Sequence, residues 1–218
     1  MEKKAMKWSR SMVLLFSVIL SIAGTLSVYD SLPEQIPFHW NLSGEIDSYA
    51  DRIYLLFTAM LPLFLYGLFI IIPKIDPKPE SFRIHAAEYS TVIAVLILFL
   101  ISLHWAVIAV SFGVNIDIVF WIRIALGLIF IVMGNYMGGI RHNYTFGIRT
   151  PWTLADEDVW NKTHRLGGYI FAACGALIFA FAFAPSFIAF MITIGSILLS
   201  VSLLFVYSYL IFAKKKPK

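Results

Sequence analysis

Five stretches of this chain contain no Asp, Glu, Lys or Arg: residues 11–29, 53–73, 89–116, 124–140 and 166–213. Uninterrupted runs of that kind suit one solvent. A helix needs roughly 17–25 apolar residues to cross the hydrocarbon core of a bilayer, and there, without water, only helices and closed barrels satisfy every backbone amide. The fifth run holds 48 residues, too many for a single crossing. Near its middle Ala184-Pro185-Ser186 supplies a break, because proline lacks the amide donor that a helix interior uses. That run therefore predicts a tight helical hairpin, and the whole chain predicts an all-α integral membrane protein of six transmembrane helices. With 60% of 218 residues hydrophobic and 14% charged, against about 25% charged in soluble domains, no large water-soluble domain fits beside the spans. Two modules are expected: residues 1–87, with two spans and a long loop at 30–52, and residues 88–218, with four spans and a long loop at 139–166.

The first run shares features with a secretory signal, since Lys3, Lys4, Lys7 and Arg10 precede it and Ser-Ile-Ala at 21–23 resembles a cleavage site. Its apolar stretch continues to Val28 without a break, longer than the roughly 7–15 residues of a signal's hydrophobic region, which favours a retained anchor. Orientation follows from the basic residues of short loops, which concentrate on the cytoplasmic side. Of the 17 Lys and Arg, 15 fall before span one, between spans two and three, between spans four and five, or after span six; Arg52 and Arg123 are the exceptions. Both termini and the 139–166 loop are thus expected in the cytoplasm, and the 30–52 loop outside.

The same placement argues against direct binding of nucleic acid, which needs a basic face interleaved with base readers on a folded domain. A single cysteine, Cys174, excludes an intrachain disulfide and any multi-cysteine metal centre. Inside an apolar run it reads as a packing residue. Ionisable groups at membrane depth are functional candidates by default, and few are present. Arg123, near the outer end of span four, reads as a snorkelling side chain. His104 reads as a neutral hydrogen-bonding residue between helices, and Asn135, beside Gly134, Gly138 and Gly139, as part of a close helix contact. No carboxylate lies inside a span, which disfavours proton-coupled transport.

Both long loops are too ordered in composition to be tethers. In the first, Pro33 and Pro37 fix extended backbone, Phe38 and Trp40 suit the membrane interface, and Ser43-Gly44 marks a turn. It reads either as an ordered cap that binds an extracytoplasmic ligand, through Pro37, His39, Trp40 and Asp47, or as a structural cap on the ends of spans one and two. Two ligands, His39 and Asp47, are too few for a metal site. In the second loop Thr153 is a plausible helix N-cap, Asp156, Glu157 and Asp158 place negative charge in a first helical turn, and Asp158 precedes Lys162 by four residues. A helix is expected to begin near Leu154, with Glu157, Trp160 and His164 on one face and Arg141 and Arg149 approaching its carboxylates. The cluster suits a structural network closing the bundle or a partner-docking surface. A catalytic constellation is disfavoured: His142 and His164 have acidic neighbours, but there is no His-Glu-x-x-His pair, no Gly-x-Ser-x-Gly turn and no phosphate-cradling glycine loop.

Phe-Gly-Ile-Arg-Thr-Pro-Trp-Thr-Leu at 146–154, Val-Trp at 159–160 and Thr-His-Arg at 163–165 resemble the SdpI immunity protein family. Leu-Pro-x-x-Ile-Pro-x-His-Trp at 32–40, with Gly44 and Asp47, resembles the N-terminal module that accompanies it there. The family motifs fall on Asn143, Gly147, Arg149, Thr150, Pro151, Trp152, Trp160, Thr163, His164 and Arg165. Of these, Asn143, Arg149, Thr150, Pro151, Trp152, Trp160, His164 and Arg165, together with Glu157, are the partner-binding candidates of the second loop. The resemblance implies a six-span protein of the cell membrane that protects its producer against a secreted, membrane-active killing peptide and holds a small cytosolic winged-helix repressor at the membrane. It implies no cofactor, no metal and no enzymatic activity. The alternatives are a transporter or channel for a peptide or small solute, and a membrane hydrolase.

Overall fold

The structure, a computed structural model, describes residues 2–84 and 86–215, with side chains from residue 11 onward. Of the basic residues that set the expected orientation, Lys3, Lys4, Lys7 and Arg10 have side chains outside that description, and Lys216 and Lys218 lie outside it altogether. In chain order the elements are α1 (Glu2–Val28), a 3-10 turn (Tyr29–Ser31), β1 (Gln35–Trp40), β2 (Ile46–Asp51), α2 (Tyr54–Ile75), α3 (Pro79–Ile84), α4 (Ala86–Ser111), α5 (Ile118–Met137), α6 (Pro151–Ala155), α7 (Glu157–Phe181) and α8 (Ser186–Lys215). Six of them, α1, α2, α4, α5, α7 and α8, are long and apolar enough to cross a membrane. Their outward faces carry Phe64, Phe187 and Leu198, each more than 60% exposed. In water such surface would cost about 25 cal/mol per Å²; against lipid it costs nothing. The chain is a multi-pass membrane protein, as its uncharged runs predict. The long fifth run divides as expected: α7 ends at Phe181, Pro185 interrupts, and α8 starts at Ser186.

Packing groups the chain into two units. The first comprises Met1–Ile70 and Ile93–Ile122. Its polar centre is His104, whose Nε2 lies 2.8 Å from Thr25 Oγ1 on α1 and whose Nδ1 lies 2.9 Å from Thr58 Oγ1 on α2. The imidazole thereby ties three helices together, the role expected of it. Beside it Trp105 donates to Ser21 Oγ (2.9 Å) and lies against Gly24. A side-chain carbon at Gly24 would fall 2.7 Å from the indole, so only glycine admits the ring there. Above this layer Leu32 and Ile36 pack on Leu55 and Ile108 and fix the root of the β1–β2 hairpin.

The second unit comprises Ile71–Val92 and Arg123–Lys218. Here α5 and α7 approach through glycines seven residues apart on each helix. A side-chain carbon at Gly134 would fall 2.5 Å from Ala172 N, and one at Gly175 would fall 2.5 Å from Gly127 O. Small residues let backbones meet where dispersion, not the hydrophobic effect, must drive association. Gly134 is thus a close-contact residue, whereas Asn135, expected in the same contact, is exposed: one position along the helix turns its side chain away from α7. Cys174 is a buried packing residue, its Sγ 3.4 Å from Ser196 Oγ on α8. Arg123 departs from expectation. It does not snorkel: it is 7% exposed and donates from Nη2 to the Ser186 carbonyl (3.2 Å), at the first residue of α8. A helix pair that turns at Pro185 leaves that carbonyl within reach, and a guanidinium satisfied by protein has no need to reach headgroups.

Candidate functional site

The first loop is a two-stranded antiparallel hairpin, the one sheet among the described residues and an addition to the all-α expectation. Its register pairs Gln35 with Asp51, Pro37 with Tyr49 and Trp40 with Ile46, with irregularities on either side of His39. The turn sits where Ser43-Gly44 places it. Asn41 Oδ1 accepts from Ser43 N (2.9 Å) and Glu45 N (3.0 Å), and Gly44 takes φ +85°, a left-handed conformation that glycine adopts without strain. At the hairpin's base Arg52 donates to the Tyr29 and Leu32 carbonyls at 3.4 and 3.2 Å. Of the four ligand candidates, His39 and Asp47 meet directly: Nδ1 and Oδ1 are 2.6 Å apart, with both side chains well exposed. Pro37 is buried and Trp40 half-buried. Beneath β1 lies a cavity of about 390 Å³, lined by Pro37, His39 and Trp40 together with apolar residues of α2, α4 and the start of α5.

The second loop turns its uncharged polar side chains His142, Asn143, Thr150 and Thr153 inward. Asn143, 2% exposed, accepts from Thr145 N and Phe146 N and donates to the Arg141 and Phe146 carbonyls, all within 2.9 Å. Its amide thus replaces secondary structure for a segment that has none. Thr150 caps α6 through a reciprocal pair with Thr153: Thr153 N donates to Thr150 Oγ1 (3.2 Å) and Thr150 N donates to Thr153 Oγ1 (2.8 Å). Pro151 occupies the first turn, where its missing amide costs nothing. Thr150 Oγ1 also donates to Ser208 Oγ on α8 (3.0 Å), and Trp152 packs edge-on against Phe205 and near Tyr209 of the same helix.

Two expectations for this segment are corrected. Thr153 caps no helix at Leu154; it is the third residue of α6, and the long helix starts at Glu157 with Asp156 as its cap, accepting from Val159 N (2.9 Å). The short α6 takes the earlier position because Thr150-Pro151 is the stronger start signal. The expected ion pair of Arg149 with the Glu157 face also does not form. Arg149 donates to the Tyr144 carbonyl at 2.6 Å, and Glu157 points outward, one turn from the buried Trp160. The Asp158–Lys162 pair is present at 2.9 Å, and Lys215 reaches both Asp156 and Asp158 at 2.8 Å. The Lys215 ammonium, with the Val159 amide, holds the Asp156 carboxyl below the ordinary carboxylate range.

Trp160 and His164 are fully buried. Their rings stack at 4.0 Å with 19° between planes, and Trp160 Nε1 donates to the Ile140 carbonyl (2.8 Å). The His164 tautomer follows from its partners. The Ile148 amide donates to Nε2 (2.9 Å), so Nε2 is an acceptor and Nδ1 carries the proton that it donates to the Trp160 carbonyl (2.9 Å). His142 has the opposite tautomer: Nε2 donates to the Leu154 carbonyl (3.1 Å), and Nδ1 accepts from Lys78 Nζ. Gly147, at φ +119°, passes directly over His164 and Trp160, where a side-chain carbon would collide with the imidazole and crowd the indole. Arg165 is exposed. Thr163 is fully buried, and its Oγ1 has no hydrogen-bond partner among the described residues.

Three residues that hold this loop escaped sequence reasoning. Buried Asp76 accepts from Tyr144 N (3.0 Å), Thr145 Oγ1 (2.7 Å) and Lys78 N (2.8 Å), while Ser81 donates to the His142 carbonyl (2.9 Å). From sequence, Lys78 reads only as one of the orienting charges between spans two and three. The one available signal was Asp76-Pro-Lys-Pro, a turn-forming sequence directly after a span.

These features define a class: a six-helix membrane protein with a hairpin cap in one unit and a tightly bonded motif loop in the other. Residues 139–210 match the SdpI/YfhL protein family, and residues 16–65 match a domain of unknown function (DUF1648). Over 202 residues the chain is 28% identical to the Immunity protein SdpI of Bacillus subtilis (strain 168), covering 92% of this chain and 94% of that one. The resemblance carried by the motifs at 146–165 is borne out. No solved structure matches the chain.

Proposed function

We propose that this chain is a membrane immunity protein that protects its producer against a secreted, membrane-active peptide. The observation that carries the reading is its end-to-end likeness to the Bacillus subtilis immunity protein, which spans 92% of the chain. Support comes from the placement of charge: with 15 of 17 basic residues on one side, the hairpin faces outward, where a secreted peptide arrives, and both termini face the cytoplasm. In this reading the hairpin meets the peptide through His39, Trp40 and Asp47. The motif loop is a structural knot first. Its exposed rim, Arg149, Glu157 and Arg165, is the surface for a cytosolic winged-helix repressor, because Trp160 and His164 are interior. The test is expression in sensitive cells challenged with the producer's spent medium. Survival is expected to rise, and unchanged survival at normal membrane abundance would refute the proposal. Reporter fusions at Ser43 and after Lys218 check the orientation, and an outward C-terminus would overturn it.

A further inference from the structure

The cavity beneath the hairpin has features that a purely structural cap does not need. Five successive residues of β1, 36–40, border it. Side chains of a regular strand alternate between faces; the irregularities on either side of His39 break that alternation and bring five residues in a row to one space. β1 pairs only with β2, and no other main chain among the described residues bonds to it, so its second edge is free. From the hairpin the cavity descends along α2 from Tyr54 to Leu61 and along α4 from Val107 to Leu100. At 1.5 Å per residue each wall is about 10 Å deep. About midway down, His104 offers nothing to a polar guest, because both ring nitrogens already bond to Thr25 and Thr58. The volume of about 390 Å³ lies within the roughly 300–1,000 Å³ of ordinary ligand sites.

A free strand edge above an apolar well fits one chemistry. We propose that an extended, apolar stretch of the killing peptide lies along β1 and seats one or two aliphatic or aromatic side chains between α2 and α4; this rests on the immunity reading and on an outward hairpin. Strand addition draws on main-chain hydrogen bonds for affinity and on side-chain pockets for specificity, and this site supplies both. A lipid chain would fill the well but leave unused the β1 carbonyls and the β1 amides, which every residue of the strand except Pro37 carries. The exposed His39–Asp47 pair stands at the rim, where the polar part of an amphiphilic peptide stays in water.

The test fills the well without touching the hairpin. Leu103→Trp and, independently, Leu61→Trp are expressed at matched membrane abundance and challenged with the producer's spent medium. Each is expected to lower survival by about tenfold or more, whereas Leu198→Trp, on a lipid-facing surface, leaves it unchanged. In parallel, full-length protein carrying benzoylphenylalanine at Phe38 is irradiated in membranes with and without that medium. The expected adduct has a peptide mass, forms only with medium, and corresponds to a peptide that kills cells lacking this chain. A phospholipid adduct, no adduct, or full protection by both filled variants would overturn the inference. Loss of protection by wild type would instead defeat the immunity reading, so the two failures are distinguishable.

Discussion

The hairpin and the motif loop each contain a His and a Trp, and they use them in opposite ways. His39 and Trp40 border a cavity, and His39 meets only Asp47 at an exposed site. His164 and Trp160 stack face to face at zero exposure with every ring nitrogen bonded to main chain. One region leaves binding capacity unspent; the other has consumed it in holding an irregular backbone together. Residue type alone therefore does not separate a ligand site from a structural knot. What separates them is whether the polar atoms still have something to offer.

The contrast is broken most directly at Trp160. Trp160→Ala should cost about 3–5 kcal/mol, the range for deleting a buried aromatic ring, and membrane abundance and protection should fall together. A variant with normal thermal stability in detergent but lost partner capture would make Trp160 a docking anchor and undo the assignment. Next, Gly147→Ala forces a side chain into a left-handed conformation against two rings; strain of about 1–3 kcal/mol is expected, read as a lowered melting temperature. Asn143→Ala removes four hydrogen bonds and should cost a similar 1–3 kcal/mol for the buried groups left unpaired.

Smaller effects sharpen the comparison. Asp156→Ala removes a helix cap, at about 1 kcal/mol. Because the folded Asp156 carboxyl is held below its ordinary value, its contribution is present above the unfolded carboxylate value of about 4 and is lost as pH falls through the lower folded value. Melting temperatures measured from pH 6 down to pH 3 should therefore fall less in Asp156→Asn than in wild type; equal acid sensitivity would count against the Lys215 pairing. Smallest in stability are His39→Ala and Trp40→Ala, whose melting temperatures should stay close to wild type while protection drops. A large loss of stability in both would make the hairpin a structural cap like its counterpart.

Much of the motif loop was legible because local rules govern its ends. The acids at 156–158 mark a first helical turn from a few neighbouring residues, and Asp158–Lys162 needs only helical spacing. The error over Thr153 came from two competing caps three residues apart, which local rules rank poorly. The Arg149–Glu157 pair failed for another reason: the Tyr144 carbonyl was closer once Asn143 had folded the segment, and no spacing argument reveals that. The cavity was invisible, since Leu61, Leu103 and Val107 look like any other span residues until three helices and a strand surround them.

By itself the sequence determined the solvent, the number of crossings, the hairpin turn at Ser43-Gly44 and the break at Pro185. Each depends on a property that acts over one element: the cost of placing charge in hydrocarbon, the conformational freedom of glycine, the missing amide of proline. Only the tertiary structure decided that Arg123 is satisfied by Ser186, that Asp76 anchors a loop some seventy residues away, and that the two tryptophan–histidine pairs differ in kind. Those outcomes depend on which atoms distant segments bring within about 3 Å of one another, and hydrogen bonding at that range is settled by packing, not by composition.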